Sequence, residues 1–172
     1  DMTDGKREIV LLTKNGRSIR FNEAEVRQTG RSSMGVTGMN LADDDEVIAM
    51  VLDVQGESIF FTTEKGMGKR TAFADFNSQH RGGKGVICYK VTPKTGKLID
   101  GCAVDDGDQI MLITNQGIVM RMSVDDISTI GRNTSGVKLM NVSQDEDIKV
   151  IGIARIWSGF LTEESDEKPA EL

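Results

Sequence analysis

Hydrophobic and polar positions along this chain alternate in short bursts separated by glycine-bearing turns. The first clear burst is Ile9-Val10-Leu11-Leu12-Thr13, followed by Lys14-Asn15-Gly16 and then Arg17-Ser18-Ile19-Arg20-Phe21. Asn-Gly between two short β-prone runs is the strongest local signal for a hairpin. The first run is apolar on both alternating faces, Ile9 and Leu11 on one and Val10 and Leu12 on the other, which predicts a strand covered on two sides. No stretch keeps helical spacing for the ~10 residues a helix requires. Asn22 to Arg27, Phe73 to Phe76 and Val124 to Ile127 are each suited to a single helical turn.

The same text recurs twice. Ile59-Phe60-Phe61-Thr62-Thr63 leads through Glu64-Lys65-Gly66 to Arg70, and Ile110-Met111-Leu112-Ile113-Thr114 leads through Asn115-Gln116-Gly117 to Arg121. The shared rule is Ile-x-x-x-Thr-x-x-Gly-x-x-x-Arg, with threonines at 13, 63 and 114 and therefore steps of 50 and 51. A second signature, Arg-x-x-x-Gly-Val, begins at Arg31, Arg81 and Arg132 and keeps the same steps. Chance does not hold two separate patterns in phase. Each copy closes with a further apolar strand, at Val47 to Leu52, Leu98 to Val104 and Ile148 to Ile153.

A period near 50 residues with about four strands per unit is the mark of a propeller-like array, whose blades pack face against face around an axis. The expected organisation is a lead-in over 1–7, blade repeats over 8–57, 58–107 and 108–156, and an acidic tail over 157–172. The stretch Glu163 to Pro169 is charged and polar, and its composition predicts disorder. The nine methionines and six phenylalanines read mostly as blade packing.

Composition supports an all-β protein: 19 glycines against 2 prolines imply many tight turns between short elements. No apolar run approaches the ~18–20 residues of a membrane span, and no basic-then-apolar leader stands at Asp1, so the expected setting is cytoplasmic. Cys88 and Cys102 lack metal-ligand spacing and read as reduced thiols in or near the core. A net charge of −6 argues at first against a nucleic-acid partner. The charge is unevenly spread, however. Acid gathers at Asp43 to Glu46, Asp105-Asp106, Asp145 to Asp147 and the chain end, while cations gather around the glycine turns, and a surface so polarised can bind a polyanion at one edge.

The densest cluster is Gln79-His80-Arg81-Gly82-Gly83-Lys84-Gly85, with three glycines, two fixed cations and the only histidine. Such a stretch can turn tightly and offer bare backbone N–H groups beside positive charge, which suits an anion. The plainer alternative is a glycine-rich loop whose cations face water. Equivalent cations recur: Arg17, Arg20, Arg27 and Arg31; Lys65, Lys69, Arg70, Arg81 and Lys84; Arg121, Arg132 and Lys138. On blades they would form a curved positive track suited to duplex DNA. Bending a short duplex costs about 1–6 kcal/mol, so several phosphate contacts must act together. Cations on short turns do not enter the major groove, so base reading is not expected.

Other chemistries fit poorly. Gly82-Gly83-Lys84-Gly85 lacks the Ser/Thr that a Walker loop places after its lysine, and Gly83 and Gly85 stand where an RNA-binding strand would carry stacking aromatics. One histidine and no serine elbow assemble neither a hydrolytic triad nor a metal site. Tyr89, within Ile87-Cys88-Tyr89-Lys90-Val91, reads as a structural strand residue.

The repeats, together with Gly66-Met67-Gly68-Lys69-Arg70-Thr71, Asp125-Asp126-Ile127-Ser128 and Gly131-Arg132-Asn133-Thr134-Ser135-Gly136-Val137, resemble the C-terminal domain of the DNA gyrase A protein from Glu8 to Ile156. The resemblance implies a β-pinwheel, a propeller-like disc with strand-swapped blades that wraps DNA around a positive rim and supports ATP-dependent negative supercoiling. The repeated cations and the histidine beside them give the expected DNA contacts, Arg17, Arg20, Arg31, Lys65, Lys69, Arg70, His80, Arg81, Lys84, Arg121 and Arg132, and the resemblance implies Gln79, Gly82, Gly83 and Gly85 as the box motif. It also implies that the cleaving tyrosine, and the ATPase with its ATP and Mg2+, lie outside this chain. The partners implied are the remainder of the gyrase A protein and the gyrase B protein in an A2B2 complex beside the nucleoid. Two departures stand out. The family has about six blades where three are visible, so the disc is expected to be incomplete. Its box usually sits in the first blade, not in what resembles the penultimate one. The acidic end resembles tails that modulate wrapping by competing with DNA. The related alternative is the corresponding domain of topoisomerase IV; the alternative of another class is a propeller-like protein-interaction platform.

Overall fold

The computed structural model describes residues 1–142 and 147–159. Among these, the apolar bursts form β1 (Glu8–Thr13), β2 (Arg17–Asn22), β3 (Val47–Leu52), β4 (Ser58–Thr63), β5 (Met67–Ala72), β6 (Val86–Ile87), β7 (Leu98–Val104), β8 (Gln109–Thr114), β9 (Val119–Ser123), β10 (Val137–Lys138) and β11 (Val150–Ile156). The chain is all-β and propeller-like, and its only helical pieces among the described residues besides 158–159 are single 3-10 turns at Glu23–Glu25, Phe73–Asp75 and Val124–Asp126. These lie within the three segments expected to hold one turn each.

The repeated Thr-x-x-Gly builds the same hairpin three times. The glycine N–H donates to the threonine carbonyl at 3.0 Å in every copy, and the glycine takes φ between +72° and +81°. The threonine hydroxyl then accepts from the first N–H beyond the turn: Arg17 at 3.1 Å, Met67 at 3.2 Å and Ile118 at 3.1 Å. A buried hydroxyl is thereby satisfied where the strand restarts. The loop is three residues long, since Lys14 and Asn15 keep negative φ and only Gly16 crosses over. A three-residue loop needs its left-handed residue only at the end, so Lys65 and Gln116 serve equally well where the first copy has Asn15.

Three antiparallel sheets result, with strand orders β3-β1-β2-β6, β10-β5-β4-β7 and β11-β8-β9. The first two have the expected four strands, but the fourth is not the repeat's own. β6 belongs to the second repeat and pairs with β2 of the first (Ser18 opposite Val86), and β10 belongs to the third and pairs with β5 of the second (Gly68 opposite Val137). The Gly-Val of the second signature is therefore a strand handed back to the preceding blade. The last strand also differs from expectation. β11 begins at Val150 and runs to Ile156, because Asp147 turns with φ of 51° and Lys149 is engaged with Asn115 through backbone and side chain.

Blades stack through their alternating faces. Val10, Leu12 and Val51 of the first blade pack against Ile59, Phe61, Phe76, Cys88, Tyr89 and Leu98 in one core. Phe60 and Val104 of the second blade pack against Ile110, Leu112, Val124, Ile127 and Val150 in the other. Two-sided cover is complete for the middle strand, where Ile59 to Thr63 are all buried. On the first blade Ile9 and Leu11 meet only a small cluster of Ile19, Phe21 and Met39. Cys88 is buried and Cys102 half-buried, both as free thiols, and burial pushes each thiol up to about 12. No helix of the described residues is long and apolar enough to cross a membrane. The expectation of a disordered acidic end at Glu163 to Pro169, and the acids Asp145 and Glu146, lie outside the described residues.

Candidate nucleic-acid interface

Strands β3, β7 and β11 pack beside one another at one end of the blades, which makes that end the inner one. The opposite, outer edge carries the returned strands β6 and β10 and the glycine-bearing loops that lead into them. The Gln79 to Gly85 box runs along the outer edge of the first blade. Its backbone is anchored there: Gln79 N–H donates to Arg20 at 2.7 Å, Gly82 N–H to Gly38 at 2.7 Å, and the Gly83 carbonyl accepts from Asn40 at 2.9 Å. Arg81 N–H donates to the Glu25 carboxylate at 3.0 Å. The expectation of a bare N–H cradle therefore fails for Gln79, Arg81 and Gly82, whose donors are already engaged. The glycines serve closeness instead. A Cβ on Gly85, at φ +64°, would lie 2.1 Å from the Ser18 carbonyl oxygen, and one on Gly136, at φ +69°, would lie 2.4 Å from that of Gly68. Only glycine lets the returned strand approach so closely.

Three arginines on this edge are fixed by neutral carbonyls. Arg17 donates Nε–H to Lys84 and Nη2–H to Gly85, both at 2.8 Å. Arg81 donates to the carbonyls of Glu25 and Thr37, both at 2.9 Å. Arg132 donates to that of Ile87 at 3.2 Å. Ile87 stands in the second repeat where Thr37 stands in the first, so Arg81 and Arg132 hold equivalent posts. A carbonyl orients a guanidinium without cancelling its charge, and each of these groups keeps N–H donors to spare. Lys84 and His80 stand exposed beside them, His80 contacting Glu25 at 3.2 Å. Arg31, which begins the first copy of the signature, is exposed and has no partner among the described residues.

Five of the expected cations lie elsewhere. Lys69 is buried with its ammonium donating to the carbonyls of Gly131 (2.8 Å) and Arg132 (2.5 Å) and to the Thr134 hydroxyl (3.1 Å), between the rings of Phe61 and Tyr89. Burial lowers its pKa to about 8. With three donors engaged it has none for a phosphate. Arg20 reaches across to the next blade, donating to the Phe73 and Phe76 carbonyls, pairing with Glu8 at 3.0 Å and lying 4.7 Å over the Phe73 ring. Arg70 repeats the arrangement, donating to the Ile127 carbonyl at 2.8 Å and pairing with Asp106. These arginines are staples between blades, neutralised by carboxylates. Lys65 sits at a hairpin tip and donates to the Pro93 carbonyl at 2.6 Å, away from the box. Arg121, the third staple position, is exposed and bonded to Gln109 of its own hairpin.

Nor do the hairpin tips collect positive charge alone. Asp45 accepts from Thr13 and Asn15, and Glu46 pairs with Lys14, so an acidic loop closes over the first tip. Two exposed cations on the outer edge were outside the expected contact set: Lys138, on β10, and Lys90, whose backbone is bonded to Thr134 and Ser135 of the third repeat's loop. Asn40 and Asn141 occupy the places of Lys90 in the other repeats, so periodicity gave no signal for it. Tyr89 is buried with its hydroxyl donating to the Ser135 carbonyl, and burial raises its phenol above the usual value, in keeping with a structural role.

The family model described as "DNA gyrase C-terminal domain, beta-propeller" matches residues 7–52, 57–100 and 108–153. The chain is 40% identical over 166 residues to the DNA gyrase A protein of Escherichia coli (strain K12), covering 96% of this chain and 19% of that protein. It is 47% identical over 155 residues to the DNA gyrase A protein of Clostridium acetobutylicum, covering 90% and 18%. The chain thus spans about a fifth of the length of these relatives. Among solved structures, it resembles a DNA gyrase A C-terminal domain (TM-score 0.82, 24% identity, 90% of this chain and 52% of that one). It also resembles a DNA topoisomerase IV C-terminal domain (TM-score 0.84, 25% identity, 97% and 54%).

Proposed function

Since the chain belongs to the DNA gyrase C-terminal domain family, we propose that it is a DNA-binding module that bends duplex DNA over its outer edge without reading sequence. The reading rests on one observation: Arg17, Arg81 and Arg132 are held along that edge by uncharged carbonyls, so their positions are fixed and their charge is not neutralised. Phosphates spaced along a duplex provide the counter-charge, with Lys84, Lys90 and Lys138 adding exposed cations at the same edge. Arg20, Lys69 and Arg70 serve the module by locking blade to blade. In the whole protein the module would support ATP-dependent negative supercoiling together with the rest of the gyrase A protein and the gyrase B protein in an A2B2 complex of the cytoplasm. The cleaving tyrosine and the ATP- and Mg2+-dependent steps belong to those other parts.

A salt titration of duplex binding tests the contact mode. Phosphate contacts predict a linear fall of log K with log salt, with slope near −0.9 per phosphate neutralised, equal for unrelated sequences. A flat salt dependence, or a marked preference for one sequence, would refute it. The likeness to the topoisomerase IV domain supports a second reading, in which the module binds DNA but wraps it less. Topology assays on relaxed circles with the intact gyrase A protein separate the two: introduction of negative supercoils, lost on neutralising Arg81 and Lys84, favours the gyrase reading.

A further inference from the structure

Arg17, Lys90 and Asn133 come from three different repeats and from three different places within the repeat, and each departs from its own copies. The counterparts of Arg17 are the apolar Met67 and Ile118, those of Lys90 are Asn40 and Asn141, and those of Asn133 are Ser32 and Gly82. The fold nevertheless brings all three departures to one spot, a cleft of about 250 Å³ on the outer edge, beside the pairing of β2 with β6. Register does the gathering. Arg17 lies opposite Ile87 on β6, and the Lys90 N–H donates to the carbonyl of Thr134, the residue after Asn133, at 2.9 Å.

The cleft carries charge of one sign. Arg17 uses two of its five N–H donors on the Lys84 and Gly85 carbonyls and keeps three. The Lys90 ammonium and the Asn133 amide are exposed and have no partner among the described residues. Asn15 also lines the cleft but is already engaged with Asp45 and Asp44, and among the described residues no carboxylate side chain lines it. Ile87, which is 43% exposed, and Val91 form an apolar wall. Cations set against a wall of low dielectric present a focused positive field. The volume lies below the ~300–1,000 Å³ of sites for drug-sized ligands and leaves room for a single phosphate and one adjoining sugar.

We propose that this cleft is a seat for one phosphodiester group of a nucleic-acid backbone, held by the Arg17 guanidinium, the Lys90 ammonium and the Asn133 amide, with the adjoining sugar against Ile87. The seat rests on the DNA-binding reading and adds to it one fixed post at the junction of the first two blades. The next junction lacks it, since Met67 stands in the place of Arg17. Cations spaced along an open rim each neutralise a phosphate of their own, whereas groups around one seat lose the same phosphate together.

Duplex binding by the 172-residue chain over a range of salt concentrations tests it. Lys90→Gln and Asn133→Asp, the second of which sets a carboxylate in the seat, are each expected to weaken binding and to make the slope of log K against log salt shallower by about 0.9. Both side chains are exposed and unbonded among the described residues, so both variants are expected to melt with the parent when no DNA is present. The double variant is expected to lose about 0.9 in all, because both changes remove one phosphate, whereas Lys90→Gln combined with Lys84→Gln, which lies outside the cleft, should lose about 1.8. A loss of about 1.8 for the Lys90 and Asn133 pair, or an unchanged slope for either single variant, would overturn the seat. If Lys84→Gln still made the slope shallower, DNA binding at the outer edge would stand without the seat; if it did not, both would fall. Inorganic phosphate at matched ionic strength identifies the source of the anion: were it to raise the melting temperature of the parent above that of Lys90→Gln while their duplex slopes were equal, the cleft would hold a free anion and the proposal would fall.

Discussion

The Lys69 ammonium lies 2.5 Å from the carbonyl oxygen of Arg132. Both residues recommend themselves as DNA contacts by charge alone, yet one is buried and holds up the loop that carries the other. The outer edge is therefore a two-layer device, with an inner cation spent on folding and an outer one left charged.

Lys69 titrates abnormally as a result. Its pKa is lowered by burial from the ordinary 10.5 to about 8, so between about pH 8 and 10.5 the unfolded chain binds the proton more tightly than the folded one. This residue's contribution to stability must rise as pH climbs through that window. Denaturant unfolding of the parent and of Lys69→Met should show the parent gaining on the variant from pH 8 to pH 10; a constant difference would mean that burial does not govern this group.

The staple arginines should separate by position. Arg20→Ala and Arg70→Ala each remove charge-assisted bonds between blades and are expected to cost about 2–3 kcal/mol in urea unfolding. Arg121→Ala removes an exposed side chain and should change stability by no more than about 0.5 kcal/mol. Equal losses at all three would contradict the assignment.

The glycines of the second signature should separate in the same way. Gly85→Ala and Gly136→Ala drive a Cβ into backbone oxygen at 2.1 and 2.4 Å and should cost about 3 kcal/mol or more. Gly35→Ala meets nothing within 4 Å and carries only the strain of its positive φ, about 1 kcal/mol. Thermal unfolding in dilute solution gives the ranking.

Lys84 offers the cleanest probe of the outer edge, being exposed and without a side-chain bond among the described residues. Lys84→Gln should leave the melting temperature unchanged, weaken duplex binding alike for all sequences, and make the salt slope shallower by about 0.9. An unchanged slope would remove Lys84 from the contact set.

The architecture was legible in the sequence because it is periodic. Alternation named the strands, Thr-x-x-Gly named the hairpins, and a step of 50 to 51 residues fixed the number of units. Side-chain roles were not legible, because a linear pattern records which cation recurs and not which way the blade turns it. Arg20 and Arg81 recur with the same period, yet Arg20 points between blades, where a carboxylate neutralises it, and Arg81 lies along the outside on neutral carbonyls. What divides them is the return of each Gly-Val to the blade before it. That return is a long-range pairing, made only when the whole stack forms, and it decides which positive charges are spent on folding and which remain for a partner.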